Sequence, residues 1–203
     1  MMKALESGKL TFWVDYDRER LSLLSRAQRI EYFRRRANMV VLRPLRYLLR
    51  GIRPISTRSS AVLCFGTCIC CAIEAFGRFH TGKVVGDEGQ SFKCFIRDFM
   101  DRGYRKQLGG NGKSYATLVY DYFRNGLAHG FTIKSGGFED LATYFQEKMI
   151  GSHLQLVIDP SRMLEDLEQA ATKFVDALKT APDVSQRYAK FSTTFDALWV
   201  RGE

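Results

Sequence analysis

Along most of the 203-residue chain, hydrophobic positions recur at helical spacing. In residues 15–36, Leu21, Leu24, Ile30 and Phe33 alternate with arginines at 18, 20, 26, 29 and 34–36, which predicts a basic amphipathic helix. Residues 37–51 continue the pattern. Pro44 within them is expected to kink or restart the helix, because proline lacks the N–H that an interior turn needs. Gly51 and Pro54 mark a loop, and Thr57 or Ser59 offers the cap of a third helix reaching about Phe79. Gly82, Gly86 and Gly89 predict a turn-rich connector. The stretch QSFKCFIRDFMDRG reads as a short amphipathic helix closed by Gly103, LGGNGKS as a loop, and Ser114 to His129 as the next helix, with Gly130 as its stop.

After Gly130 the period changes. FTIK and HLQLVID read as two short strands, and the SGGFEDLATYFQEKMIG between them as a partly helical connector. Pro160 suits the first turn of a helix over residues 160–179, and residues 184–200 form a last amphipathic segment. The expected fold class is mostly α with one small two-stranded β-ribbon. The expected organisation is one domain over residues 1–203, with residues 15–50 as a basic helical extension.

Composition and charge sharpen this picture. Hydrophobic residues make up 45% of the chain and include 15 Phe, enough for a sizeable core and too many for a disordered chain. A formal net charge of +9 favours anionic partners: nucleic acid, acidic protein or an anionic membrane surface. The first residues lack the apolar run of a secretory signal. The longest apolar run, AVLCFGTCICCAIEAFG, is interrupted by Thr67 and Glu74 and falls short of the roughly 18 apolar residues of a spanning helix. A soluble, cytosolic protein without a membrane partner is expected. The odd count of five cysteines, four of them within residues 64–71, makes a poor disulfide framework.

Several motifs lead nowhere chemically. GGNGKS resembles the tail of a phosphate-binding loop, but the required glycine is replaced by Gln107 and a helix, not a strand, precedes it. Cys64, Cys68 and Cys71 share a helical face, yet no His, Asp or Glu is interleaved as a further metal ligand, so they read as packing residues against a neighbouring helix. No metal or cofactor is called for. His80 and His153 read as structural. Glu74 is different: a carboxylate within an apolar helix needs a partner, an arginine or a backbone group.

The stretch YFRNGLAHGF, at the end of its helix, concentrates candidate chemistry. Its apolar stripe is Tyr115, Leu118, Val119 and Tyr122, with Asn125 and His129 together on the border. On an ideal wheel Arg124 lies roughly 140° from His129, so either Gly126 distorts the last turn or a second subunit completes the site. A helix end with a solvated arginine explains the same residues without chemistry. Chemically, arginine holds a phosphate and stabilises developing charge, histidine moves a proton near neutral pH, and asparagine positions either group. These types suffice for metal-independent RNA cleavage by 2′-hydroxyl attack, leaving a 2′,3′-cyclic phosphate.

Arg124 and His129, spaced Arg-x4-His at a helix end with Asn125 after the arginine, resemble the signature of the HEPN superfamily. The order of helices over about residues 57–135 is similar to bacterial HEPN proteins. This resemblance implies an antiparallel helical bundle, often dimeric, with Arg124 and His129 lining a cleft between protomers and Asn125 at the common polar position. It implies an endoribonuclease of toxin–antitoxin or phage-defence type, with RNA and a possible antitoxin or other partner protein. The alternative is a non-catalytic HEPN module that binds RNA or a partner. A toxin subgroup carries Tyr two residues after the histidine; here that residue is Phe131. A homodimer is expected, joined by residues such as Tyr122, Phe123 and Leu127.

Overall fold

The computed structural model describes residues 18–52, 60–100, 102–106, 112–130, 132–141, 145–150, 153–182 and 184–202. The basic N-terminal stretch forms two helices instead of one, α1 (Arg18–Ser22) and α2 (Arg26–Arg36). Ser25 makes the break. Its hydroxyl accepts from the Gln28 N–H while the Gln28 side chain accepts from the Ser25 N–H, a reciprocal cap that starts α2 anew.

From α2 the chain runs through a π-helical segment, Ala37–Leu42, into α3 (Arg43–Gly51). Pro44 lies in the first turn of α3, where its missing donor does least harm. The wide turn before it is closed by the Arg43 N–H on the Asn38 carbonyl. The next helix, α4, spans Ser60–Thr81; its expected caps, Thr57 and Ser59, lie outside the described residues. Next comes α5 (Glu88–Phe99), which takes in Gly89 and ends well before Gly103. Gly103 sits instead in a 3₁₀ turn, Arg102–Arg105, that carries the buried Tyr104 against Phe145, ring centres 4.8 Å apart. Most of the LGGNGKS stretch, residues 108–111, is outside the described residues. The following helix starts at Ser114 as expected, and Ser114 caps it by accepting from the Thr117 N–H. That helix comprises α6 (Tyr115–Leu118), a second π-helical segment (Val119–Arg124) and α7 (Asn125–Gly130).

The expected two-stranded ribbon is a three-stranded sheet. Its strands are β1 (Gly136–Phe138), β2 (Phe145–Ile150) and β3 (His153–Ile158), in the order β1-β3-β2. β1 runs parallel to β3, with Gly136 opposite Leu156; β2 runs antiparallel, with Phe145 opposite Ile158. Residues 132–134, expected in the first strand, are not in one, and the expected helical connector supplies both β1 and β2. The residues of FQEKMI favour helix, and pairing with β3 overrides that preference. Gly136 has φ 148°, and a Cβ there would collide with the Leu156 carbonyl, so the parallel pair needs glycine.

The chain closes with α8 (Pro160–Thr180), α9 (Gln186–Phe195) and a third π-helical segment, Asp196–Arg201. Asp159 caps α8 by accepting from the Ser161 and Arg162 N–H groups. α4 is the pivot of the bundle, packing on α5, α8 and α9. It approaches α5 closely at Gly77, where a Cβ would collide with the Ser91 carbonyl. The face that α4 buries is bulky: Phe65, Ile69, Ile73 and Phe76. Cys64, Cys68 and Cys71, expected to pack, are consequently exposed on the opposite face, and Cys70 and Cys94 are the buried thiols. By length and composition alone Ala61–Thr81 is long and apolar enough to cross a membrane, and 61% of its most apolar window is buried in the bundle. Phe33, from the basic stretch, meets Phe76, Phe79, Phe174 and Phe191 edge-on at 4.8–5.7 Å, so α2 supplies the middle of the core.

Candidate functional site

Glu74 sits on α4 one turn before Arg78, and it is 7% exposed. A buried carboxylate in an apolar helix requires cationic or hydrogen-bonding partners, and two arginines meet the requirement. Arg78 donates from Nη2 to Glu74 Oε1 at 2.8 Å. Arg124, fifty residues away, donates from Nε to Glu74 Oε2 at 2.8 Å, with Nη2 at 2.7 Å from the same oxygen. Its Nη1 donates to Asn125 Oδ1 at 3.2 Å. The arginine that ended a helix in the sequence is therefore clamped across the bundle, not solvated. Arg78 is not singled out by the sequence pattern, although its i+4 spacing from Glu74 was the available signal.

Local backbone geometry explains how Arg124 arrives there. The π-helical segment Val119–Arg124 closes with the Asn125 N–H on the Tyr120 carbonyl, a five-residue step in place of four. Helix distortion thus lies before Arg124, and not at Gly126 as the sequence suggested, because α7 continues through Gly126. Gly126 has another reason: a Cβ there would collide with the Thr132 carbonyl, where the chain folds back over the helix. In that return the Thr132 N–H bonds the Gly126 carbonyl at 3.3 Å and the Lys134 N–H bonds the Tyr122 carbonyl at 3.0 Å.

The same turn buries Phe123 and Leu127 completely in the protomer's own core, with Phe123 against Phe138 at 5.0 Å. These two side chains cannot join two copies, which corrects the expected contact; Tyr122 stays half-buried. His129 lies in the last turn of α7 by its backbone, and its side chain is outside the described residues, as is Phe131. The structure thus brings Arg124 and Asn125 together and adds Glu74 and Arg78.

Around this cluster is a cleft of about 250 Å³, with Thr67, Cys71, Glu74, Arg78 and Arg124 on its wall and Leu127 and Leu198 as apolar lining. It is smaller than the roughly 300–1,000 Å³ of small-molecule pockets, so it suits one anionic group of a larger ligand. Two guanidinium groups against one carboxylate leave it net positive. Burial pulls the Arg124 pKa down, and the hydrogen bond and charge of Glu74 outweigh that and hold it above the ordinary value. Burial also pushes the Cys70 and Cys71 thiols up, with the Glu74 charge adding to it, so neither is poised as a thiolate.

The other histidines stay apart from the cleft. His80 Nε2 lies 2.8 Å from Asp98 Oδ2, its Nδ1 is buried without a hydrogen-bond partner, and burial pushes its pKa down against the pull of Asp98. His153 opens β3, with its side chain outside the described residues. Among the described residues no three His, Cys, Asp or Glu side chains converge as metal ligands. Comparison with protein-family models, with curated proteins and with solved structures finds no match for this chain.

Proposed function

We propose that the protein is a metal-independent endoribonuclease of HEPN type, with Arg124, Asn125 and His129 as its catalytic residues. The observation that supports this most directly is the clamp on Arg124: a buried Glu74 fixes the guanidinium in a small, net positive cleft, beside Asn125 and one turn from His129. A pre-oriented guanidinium stabilises charge developing on a phosphate without reorganising during the reaction. His129 takes the proton of the 2′-hydroxyl, whose oxygen attacks the adjacent phosphorus as the 5′-oxygen departs. The products carry a 2′,3′-cyclic phosphate and a 5′-hydroxyl. Asn125 Oδ1 accepts from Arg124 Nη1, the guanidinium nitrogen that Glu74 does not engage, and so helps to position the arginine.

Cyclising cleavage benefits from an acid as well as a base, and the motif supplies one histidine per chain. A two-fold homodimer would supply the second. The surface suited to it is the exposed face of α4, where Cys71 and Ala75 line both the cleft and an apolar groove that continues from it along Cys68, Val40, Val41 and Leu48. A second copy on this face brings two Arg124 clefts together, and light scattering of Cys68→Arg against wild type tests it.

The decisive experiment incubates pure protein with single-stranded RNA in excess chelator. Cyclic phosphate ends are expected, and His129→Ala and Arg124→Ala should each lose at least about 100-fold in rate. Activity lost with chelator and restored by Mg²⁺ or Mn²⁺ overturns the mechanism. One observation favours a second reading, a non-catalytic RNA-binding module: the Arg124 donors are already engaged by Glu74 and Asn125. RNA binding by wild type without any cleavage selects that reading. An antitoxin or another protein partner, and a cytosolic place of action, belong to the same proposal.

A further inference from the structure

Tyr120 connects the Arg124 cleft to a second basic pocket. The Arg124 Cζ lies 5.6 Å from the centre of the Tyr120 ring, and the Lys93 Nζ lies 5.5 Å from the same centre. Two cations on one ring are attracted by its π-electrons and held as neighbours. Gly89 makes room for this arrangement, since a Cβ there would collide with the ring and hydroxyl of Tyr120. The ring therefore lies across the first turns of α5, which carries Lys93.

Beyond Lys93 opens a pocket of about 290 Å³ between α5, the 3₁₀ turn and the start of α6. Its wall includes Lys93, Arg97, Arg105 and Ser114, and no carboxylate is among its described lining residues. Arg97 is paired with Asp98 at 2.7 Å, so Lys93 and Arg105 carry the pocket's excess charge. The larger groove between α2 and α8 differs: there Arg34 pairs with Glu31, Arg46 with Glu168 and Lys179 with Asp176. Of these two pockets, the one reached from Arg124 has no carboxylate among its described lining residues, and the larger groove pairs several of its cations with carboxylates.

We propose that single-stranded RNA bound at Arg124 continues across Tyr120 into this pocket, where Lys93 and Arg105 hold its neighbouring phosphates. The inference rests on the reading of the Arg124 cleft as an RNA site. A single strand fits because the route turns around one side chain and places an aromatic group between two cationic contacts, the combination with which proteins track unpaired strands. A stiff duplex cannot follow that turn into both pockets.

Fluorescence anisotropy with a labelled, 2′-O-methylated single strand, which resists cleavage, tests the route over a series of salt concentrations. Each lost phosphate contact lowers the slope of log affinity against log salt by roughly 0.7 for single strands. Lys93→Gln should lower the slope by about 0.7 and Lys93→Gln/Arg105→Gln by about 1.4, and Lys173→Gln in the other groove should leave it unchanged. Affinity should fall about ten-fold or more in the double variant, and a duplex of the same sequence should bind more weakly than the single strand. If Arg124→Ala weakens binding while the Lys93 and Arg105 variants keep the wild-type slope, the route is wrong and the cleft reading stands. If wild-type protein does not bind the strand at all, both fall.

Discussion

Two glutamates in this protein each sit between two arginines, and they do different things. Glu31 is on the surface of α2. Arg34 donates to it at 2.6–2.7 Å and Arg35 at 2.7 Å, from three and four residues along the same helix. Glu74 is buried in α4 and joins Arg78 on its own helix to Arg124 on another. At the surface, water screens the charges and competes for the bonds, so such clusters contribute at most about 1 kcal/mol. In the interior, removing one partner strands a charge away from water and costs about 3–5 kcal/mol. The exposed cluster decorates a helix; the buried one decides where a catalytic candidate points.

The largest effect that would break this comparison is expected at Glu74. Glu74→Ala should destabilise the fold by about 3 kcal/mol in chemical denaturation, because two half-buried guanidinium groups lose their buried counter-charge. Arg124→Ala should cost less. The double variant should fall short of the sum by about 1 kcal/mol or more, as expected of residues in direct contact. Strict additivity would mean that the Glu74–Arg124 pair does not couple the two helices.

A smaller effect sharpens the same point through a neighbouring thiol. Burial raises the Cys71 pKa first, and the Glu74 charge raises it further. Glu74→Gln removes the second cause, so alkylation of Cys71 at pH 8, followed by peptide mass spectrometry, should run faster than in wild type. Glu31→Gln should leave the rate alone. An unchanged rate in Glu74→Gln would show that the carboxylate charge is not felt on this face of α4.

The smallest expected effect is at the exposed cluster. Hydrogen bonds from Arg34 and then Arg35 lower the Glu31 carboxyl from 4.5 to about 2. A carboxylate whose folded pKa is depressed contributes stability above its unfolded pKa and loses it as pH falls. The window is therefore about pH 4.5 down to 2, and exposure limits the contribution to about 1 kcal/mol or less. Titration by NMR should show Glu31 rising towards 4.5 in Arg34→Gln, with denaturation midpoints near pH 7 almost unmoved. A loss as large as that of Glu74→Ala would erase the distinction.

What the sequence by itself determined is what depends on neighbours along the chain. Ser114 and Gly130 bounded the helix of Arg124, Pro160 opened α8, and the period of HLQLVID gave β3, because caps and periodicity act over a few residues. Glu74 was legible as a carboxylate in need of a partner, an arginine or a backbone group, and Arg124 and Asn125 as residues out of place at a helix end. The tertiary structure alone decided which arginine answered Glu74, since its position is fixed by packing across fifty residues. Tertiary pairing also made FQEKMI a strand, turned Cys64, Cys68 and Cys71 outward and buried Phe123 and Leu127. In each case local preference is worth under about 1 kcal/mol per residue, while burying a large apolar side chain is worth about 1.5–3 kcal/mol, so the packed bundle prevails over the local pattern.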